Sequence, residues 1–412
     1  MKFLLLVINL FCLLQLSAQN TQYKNDFIFF WNTINANYCY WDKKQTDWNN
    51  VKNTYSALMD SITSRNGFVS LLEQVFYELY DHHASLNTNT LASQRLVPSG
   101  TDIWAEYVNG KPVIIEIKAG SGSAKAGLKA GMEIVSLNDI PIATALLPFL
   151  PRHIKRSDPE ATNYALRVAL AGSHSMNRKI VAGHHAHPLT YYPDQPVNLL
   201  ERNEPKNKIE STVLPGNIGY ILINNALGDN ALIAVFDSVL TGLKTTKAMI
   251  LDLRNTPGGG NTTVARSIIG RFIDKDGFYQ KHELTAEQKE FGVKRSWVEV
   301  VSSRPPVYTK PLAILVDHWT GSVGEGIAIG FDAVKRATII GTPMAGLNGA
   351  NYFFTMPGTG IGFSFPAEKL YHINGTPREN FRPTIQVNTA GTKNNEDIIL
   401  QQALKHLNKK NN

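Results

Sequence analysis

Apolar residues in the N-terminal part of the chain recur at intervals of three and four, the spacing of one helix face. They are Phe27, Phe30, Trp31 and Ile34, followed by Phe68, Leu71, Leu72, Val75, Phe76 and Leu79. Asp47 is suited to open one helix of this region, and residues 64–67 (Ser-Arg-Asn-Gly) separate two others. The pattern from Asn25 to about Leu91 predicts a small helical bundle.

The period changes near residue 103 to that of short strands. Residues 103–108 and 113–117 flank Asn109-Gly110, a strong hairpin turn signal. Residues 120–140 then combine closely spaced glycines with an Ala-Gly-Leu segment and a Gly-Met-Glu-Ile segment. This stretch resembles the middle of a PDZ domain. The resemblance implies that an extended C-terminal peptide binds by adding a strand to a sheet edge.

From Gly216 onward, apolar runs alternate with helical stretches. The runs have the length of buried parallel strands and cover residues 218–223, 248–253, 312–316 and 337–340. The helical stretches lie near residues 231–243, 263–273 and 324–334. This alternation predicts crossover connections and a layered α/β core. The predicted fold class is therefore α+β with several domains: a helical region, a PDZ-like β domain and an α/β core.

The first residues have the pattern of an export signal. Lys2 precedes an apolar run from Phe3 to Leu16, and small residues follow at 17–18. The run is too short for a membrane-spanning helix. We predict that residues 1–18 are a signal peptide and that the mature protein is exported, periplasmic or extracellular, without a stable membrane anchor.

Composition excludes several classes of protein. The chain has 412 residues, of which 43% are hydrophobic and 18% charged. These are the proportions of a globular protein, and not of a disordered, collagenous or coiled-coil chain. The net charge is +7, but no basic run of five or more occurs, so a nucleic-acid partner is disfavoured. Removal of the leader leaves Cys39 as the one cysteine, which excludes an intramolecular disulfide.

Residues 184–187 (His-His-Ala-His) contain metal-ligand residue types on one short loop. A zinc site normally takes ligands from a second element as well. We expect a polar loop here, with metal binding as the less favoured alternative.

The segment from Leu253 to Asn261 follows a predicted buried strand and precedes a helix. Its sequence is Leu-Arg-Asn-Thr-Pro-Gly-Gly-Gly-Asn. Consecutive glycines permit a sharp turn and present bare N–H groups at a helix N-terminus. Such a loop suits a phosphate or an oxyanion, and the absence of Gly-Lys-Ser/Thr disfavours nucleotide binding.

A second segment, residues 316–325, also runs from a buried strand through small residues into a helix. Ser322 stands at this turn, where the N–H of Val323 is free to help bind an oxyanion. The arrangement is physically similar to a nucleophile elbow, but it lacks the Gly-x-Ser-x-Gly pattern. The alternative for Ser322 alone is a helix N-cap.

A third segment, residues 79–86 (Leu-Tyr-Asp-His-His-Ala-Ser-Leu), ends the helical region. A serine nucleophile needs a base that is neutral near pH 7, and histidine is the natural one. Taken alone, His82 and His83 are equally consistent with structural or surface roles.

Together the three segments resemble the tail-specific (C-terminal-processing) serine peptidase family. The order also matches: a helical region, a PDZ domain, then an α/β core with Leu-Arg-x-x-Pro-Gly-Gly and Ser-x-x-Glu. One branch of that family uses a Ser–Lys dyad, but its lysine position here is Leu347, which takes no proton. The other branch, similar to the tricorn core, takes a histidine from a Leu-x-Asp-Gly-His-x-x-Leu motif. Residues 79–86 match that motif with His83 as the base and His82 in place of the glycine.

The resemblance implies a fold and a set of catalytic residues. The core would be of the ClpP/crotonase-like type. Ser322 would be the nucleophile and His83 the base, with Glu379 orienting the histidine. The oxyanion hole would be formed by backbone N–H groups of Gly258, Gly259 and Val323.

The implied domains are a signal peptide (1–18), a helical domain (19–95), a PDZ-like domain with a connecting segment (96–205) and a peptidase core (206–412). No metal or organic cofactor is implied. The substrates would be unfolded or partly unfolded polypeptides, selected through their C-termini at the PDZ domain.

Two other functions remain open at this stage. The first is a non-catalytic protein on the same fold that binds peptides or hydrophobic ligands. The second is carbohydrate processing, for which the sequence offers no convincing pair of carboxylates.

Overall fold

The computed structural model describes residues 2–184, 187–196, 207–389 and 396–410. The helices are α1 (Lys2–Asn37), α2 (Trp48–Leu58), α3 (Arg65–Tyr77), α4 (Gly122–Ala126), α5 (Ile142–Ala145), α6 (Pro159–Ala171), α7 (Leu232–Gly242), α8 (Thr262–Gly270), α9 (Thr285–Phe291), α10 (Val323–Ala333) and α11 (Ile398–Lys410). The strands are β1 (Ser85–Leu86), β2 (Ile103–Val108), β3 (Lys111–Ile117), β4 (Glu133–Leu137), β5 (Ile140–Pro141), β6 (Ile180–His184), β7 (His187–Tyr191), β8 (Ile209–Leu214), β9 (Ile218–Ile223), β10 (Ala248–Asp252), β11 (Gly277–Leu284), β12 (Arg295–Val301), β13 (Leu312–Val316), β14 (Thr338–Gly341), β15 (Ala350–Thr355), β16 (Gly362–Tyr371) and β17 (Ile385–Gln386). Within these ranges no helix has the length and apolar character needed to cross a membrane.

The α/β core is built on a six-stranded sheet of order β17-β14-β13-β10-β9-β8. The strands from β17 to β9 run parallel, and β8 pairs antiparallel with β9. Strands β10 and β13 are buried along their whole length, as their unbroken apolar sequences predict. Helices α7, α8 and α10 cover one face and α11 covers the other. The predicted layered core is therefore confirmed.

The N-terminal helices form as predicted, except that residues 65–67 are the first turn of α3 and do not separate two helices. Their caps explain where two of these helices begin. Asp47 accepts a hydrogen bond from the Asn50 N–H at the start of α2, and Ser64 accepts one from Gly67 at the start of α3. The helical pattern ends at Tyr77 instead of near Leu91, because β1 gains backbone partners in β16.

The N-terminal helices bury their apolar faces against strand β16 as well as against each other. Phe30 packs against Phe363 of β16, and both belong to one core that the helices share with that strand. Strand β16 lies in a five-stranded sheet of order β1-β16-β11-β12, with β15 beside β16. This sheet connects the helical region to the α/β core, because Tyr279 of β11 packs against Gly326 and Gly330 of α10.

Residues 96–205, called here the PDZ-like region after the predicted resemblance, contain a third sheet. Its order is β2-β3-β4-β6-β7, with β5 beside β4. The hairpin between β2 and β3 turns at Asn109 (φ +51°) and Gly110 (φ +77°), the left-handed pair that Asn-Gly favours. Helix α6 packs across this sheet and shares its core. Strand β2 is the sheet edge that α6 contacts.

Candidate active site

The turns after β10 and β13 meet at one edge of the core sheet. These strands are parallel neighbours, so the segments that follow their carboxyl ends are brought together. Thr256 and Thr320 extend the pairing by one bridge, and the Gly321 N–H donates to the Thr256 carbonyl at 3.0 Å. The two segments that the sequence singled out are therefore in direct contact.

The close approach of these turns explains their small residues. A Cβ on Gly260 would lie 2.7 Å from the Cβ of Val323, and one on Gly321 would lie 2.6 Å from the Pro257 carbonyl oxygen. Such distances leave no room for a side chain without displacing the neighbour. The glycines thus set the spacing between the two turns.

Ser322 occupies an unusual backbone position at the start of α10. Its φ of +52° and ψ of −112° are rarely adopted by residues other than glycine, and such strain clusters at functional sites. Its N–H donates to Oε2 of Glu325 at 2.8 Å. Glu325 is fully buried and also accepts from the Gly346 N–H at 2.9 Å. Burial raises the pKa of Glu325 to about 7, although the Arg378 guanidinium acts in the opposite direction.

Three backbone N–H groups at this edge are available to a ligand. Among the described residues, no protein acceptor bonds the N–H of Gly258, Gly259 or Val323. A Cβ on either glycine would meet nothing within 4 Å, so the space beside both is open. Gly259 has a φ of +73°, which favours glycine at this position.

His83 is held at the cleft by contacts of its ring and its backbone. Its Nδ1 lies 2.5 Å from the carbonyl oxygen of Asn348, and its own N–H donates to Oδ1 of Asp81 at 2.9 Å. The Nδ2 of Asn348 donates to Oδ2 of the same aspartate at 2.8 Å. Burial and the positive charge of Arg378 lower the pKa of His83 to about 4. The imidazole is therefore neutral at pH 7.

His82, which stands where the resembling motif has glycine, lies against the PDZ-like region. Its ring stacks on Tyr164 of α6, with 4.5 Å between ring centroids. Burial, together with the charges of Arg167 and Lys44, lowers the pKa of His82 well below its usual value. The larger residue is thus accommodated beside α6, while His83 retains its contact with Asn348.

Glu379 is not brought to the imidazole that it was expected to orient. Its carboxylate contacts Lys43 Nζ at 2.5 Å and the Tyr40 hydroxyl at 3.4 Å. The Asn348 carbonyl takes the place beside Nδ1 that the sequence assigned to Glu379. The reason is local: the chain turns so that Arg378, the preceding residue, is buried and donates to the carbonyls of Leu347 and Gly349.

One cleft of about 710 Å³ contains the other expected site residues. Its lining includes Ser322, His83, Gly258, Gly259 and Val323. Arg378 also lines it, but Glu379 does not. Leu347 lines the cleft beside Gly321, and no lysine is among the described residues that line it.

Two residues of the site, Asn348 and Arg378, were not predicted from the sequence. Asn348 acts through a backbone carbonyl, which leaves no residue-type signal. Arg378 is an ordinary-looking arginine until its burial places it near both His83 and Glu325.

The described histidines of the His-His-Ala-His segment pair across a hairpin between β6 and β7. His184 lies opposite His187, and His185 is outside the described residues. No cluster of metal-ligating side chains was found in the portions of the chain that the structure covers.

The free edge of β2, where a PDZ domain would add a peptide strand, is occupied by side chains of α6. Oδ1 of Asn163 accepts from the Tyr107 N–H at 2.8 Å, and Nε of Arg167 donates to the Ala105 carbonyl at 3.3 Å. Backbone groups that could bond a peptide are thus already bonded within the chain.

Comparison with known proteins agrees with the fold. Residues 217–387 match the model of peptidase family S41, and residues 19–77 match that of the tricorn protease C1 domain. The fold is similar to that of a photosystem II D1 C-terminal processing protease, at 16% identity and a TM-score of 0.54 over 90% of this chain and 95% of that one. It is also similar to mature CPAF complexed with lactacystin, at 16% identity and a TM-score of 0.58 over 95% and 97% of the two chains.

The core and the family match together define a serine-type peptidase. Residues 217–387 match peptidase family S41, and the resemblance to the tail-specific serine peptidases is confirmed.

Proposed function

We propose that the protein is an exported endopeptidase in which Ser322 is the nucleophile and His83 the general base. The observation that carries this proposal is the cleft itself. It holds a serine on a strained strand-to-helix turn, a neutral histidine, and three N–H groups that bond to no acceptor in the described part of the chain. This combination supplies a nucleophile, an oxyanion site and a base.

The contact with Asn348 supports Nε2 as the ring nitrogen of His83 that acts as the base. A carbonyl oxygen can only accept, so Nδ1 carries the proton and donates to Asn348. Nε2 is then left with its lone pair and serves as the acceptor for the Ser322 hydroxyl proton. The Asn348 carbonyl thereby performs the orienting role that the third member of a catalytic triad has elsewhere.

In the proposed acylation step, Ser322 Oγ forms a bond to the scissile carbonyl carbon while its proton moves to Nε2 of His83. The oxygen that becomes negative is bonded by the N–H of Val323 and by that of Gly258 or Gly259. The C–N bond then breaks, and the leaving amine takes the proton from Nε2. Water attacks the acyl group in the same way, which regenerates Ser322 and releases the new carboxyl end. Each oxyanion donor is worth roughly 3–4 kcal/mol in such sites.

The proposed substrates are unfolded or partly unfolded polypeptides that lie in the cleft. Its volume suits an extended chain, and its lining is formed by residues of the helical region, the start of the PDZ-like region and the core. Because the β2 edge is bonded to Asn163 and Arg167, we assign the main substrate contact to the cleft and not to C-terminus capture at the PDZ-like region.

We propose export on the basis of Lys2 and the apolar run that follows it. In the structure this run belongs to α1, which continues to Asn37. Determination of the N-terminal residue of the protein purified from the producing cell tests the proposal. A start at residue 19 or close to it is expected, and an intact Met1 in all of the protein would contradict export.

The activity is tested by fluorophosphonate labelling and by digestion of unfolded casein, with wild type, Ser322→Ala and His83→Ala compared. We expect both signals in the wild type and their loss in both variants. Ser99→Ala is a matched control, since Ser99 also lines the cleft but has no proposed role. Casein cleavage that survives Ser322→Ala would overturn the nucleophile assignment. A folded wild type that neither labels nor cleaves would favour a non-catalytic binding protein.

A further inference from the structure

A buried carboxylate of the PDZ-like region contacts the turn that carries Ser322. Glu116 of β3 contacts Nδ1 of His318 through its Oε2 atom, and both residues are buried. His318 lies four residues before Ser322, and no proposed catalytic step uses it. The contact crosses from one part of the fold to another, since Glu116 and His318 are 202 residues apart.

Further contacts fix this pair in place. Thr342, which follows β14, donates its hydroxyl to the same Oε2 of Glu116 at 2.8 Å. The His318 ring stacks on Trp104 of β2, with 4.6 Å between centroids. Glu116 is therefore a shared acceptor for two donors from the core, and the imidazole is held on one face by the PDZ-like region.

The next residue of the turn is also held by the PDZ-like region. Trp319 is fully buried, and its Nε1–H donates to the Thr101 carbonyl at 2.8 Å. From the opposite side, Thr320 donates its hydroxyl to the Leu253 carbonyl at 3.1 Å, and Ala345 donates its N–H to the Thr320 carbonyl at 3.0 Å. The turn is thus fixed from two sides immediately before the strained Ser322.

We propose that Glu116 is a positioning residue for catalysis, which acts through His318 to fix the turn that aims Ser322 at the substrate. This inference rests on the proposed function and assigns the PDZ-like region a part in it. Its reason is geometric: misplacement of a reacting group by about 1 Å costs on the order of 10²-fold in rate. The closed edge of β2 agrees with a bracing role for the region, because side chains of α6 bond to the strand that carries Trp104.

The test compares Glu116→Ala, Glu116→Gln and Asp102→Ala with wild type. Active sites are titrated with a fluorophosphonate, and kcat per active site, KM and Tm are measured with a fluorogenic peptide prepared from a casein cleavage site. Glutamine keeps one oxygen that accepts from His318 and Thr342. Asp102 is a similarly buried acid of the same region, and among the described residues its side chain bonds to Arg178 and to the Ser123 N–H and not to the turn.

We expect Glu116→Ala to lower kcat per active site by about 10- to 100-fold with KM changed less than about threefold. Glu116→Gln should recover kcat to within about fivefold of wild type. Asp102→Ala should lower Tm and leave kcat per active site within about twofold, because a structural loss removes active molecules without slowing those that remain.

A Glu116→Ala protein with wild-type kcat would overturn the positioning role, and so would an equal loss of kcat in Asp102→Ala. If Glu116→Ala does not fold, Thr342→Val removes one of the two donors with little change in volume. It should lower kcat about threefold to tenfold, and an unchanged kcat would overturn the inference. A wild type without labelling or cleavage would instead overturn the proposed function, so the two failures are distinguishable.

Discussion

The Nδ1 atom of His83 lies 2.5 Å from the backbone carbonyl oxygen of Asn348. Because the acceptor is part of the backbone, its position depends on the fold of the segment and not on a replaceable side chain. That segment is tied to the histidine motif by the bond from Asn348 Nδ2 to Asp81, which also accepts the His83 N–H. The proposed base and the group proposed to orient it therefore share one aspartate.

The first prediction distinguishes the role of Asn348 from that of Glu379. Asn348→Ala removes a bond to a buried carboxylate, of a kind worth about 1.5–3 kcal/mol, and loosens the carbonyl that orients His83. We expect kcat to fall by roughly tenfold or more. Glu379→Gln should lower kcat by less than about threefold, because that carboxylate contacts Lys43 and Tyr40.

Steady-state cleavage of the fluorogenic peptide provides this comparison, with circular dichroism to establish that both variants fold. A loss of kcat in Glu379→Gln that equals the loss in His83→Ala would show that Glu379 orients the base after all.

The second prediction concerns pH. His83 acts as a base when deprotonated, and its pKa is lowered to about 4, so nearly all of it is competent at pH 7. The fluorophosphonate labelling rate should therefore stay constant from about pH 7 to about pH 5 and fall below that, with its acid limb near pH 4. A midpoint at the ordinary histidine value of about 6.5 that persists in Glu325→Gln would contradict the burial of the base.

Glu325 provides an internal control for that profile. Glu325 accepts a hydrogen bond from the Ser322 N–H, and burial raises its pKa to about 7. Its charge therefore changes within the pH range of the plateau. Any inflection near pH 7 should disappear in Glu325→Gln, while the limb near pH 4 remains. Loss of the lower limb in this variant would mean that Glu325, and not His83, controls the acid side.

The third prediction uses two glycines of one loop. Gly260→Ala places a Cβ 2.7 Å from Val323, so the turn must shift, at a cost of about 1–3 kcal/mol in the free energy of unfolding. Gly258→Ala meets nothing within 4 Å and should change that free energy by less than about 0.5 kcal/mol. Urea denaturation followed by fluorescence measures both. Equal destabilisation would argue against the close approach of the two turns.

The fourth prediction concerns the PDZ-like region. We expect a peptide with a free C-terminus and the same peptide with a C-terminal amide to bind the Ser322→Ala protein with affinities within about threefold of each other. The reason is that the backbone groups of Tyr107 and Ala105 are already bonded to Asn163 and Arg167. Fluorescence anisotropy measures both affinities. A free acid that binds more than about tenfold tighter, or about 1.4 kcal/mol, would show that the edge opens to capture C-termini.

Local sequence was sufficient for part of this site. The apolar runs locate β10 and β13, and the glycines and Ser322 that follow them identify a strand-to-helix turn, because these features lie within a few neighbouring residues. His83 was predicted through a motif that resembles one of a known family. Such information does not depend on how distant parts of the chain pack.

The remaining features depend on long-range packing. Asn348 lies 265 residues from His83 and contributes a carbonyl that every residue type has. The pairing of Glu116 with His318 joins two residues 202 positions apart, and no local pattern around either one indicates the contact. Glu379 was predicted to orient the histidine from its spacing to a later proline. The local turn instead buries Arg378 and directs the glutamate to Lys43.

The most direct test of the central assignment is identification of the phosphonylated residue. Wild type is labelled at about pH 7, digested and sequenced by tandem mass spectrometry, and the labelling rate is compared with that of His83→Ala. Ser85, Ser99 and Ser364 also line the cleft and are the internal alternatives. The account predicts an adduct on Ser322, formed at least about 10²-fold more slowly without His83. An adduct on another serine, or a rate that does not depend on His83, would contradict it.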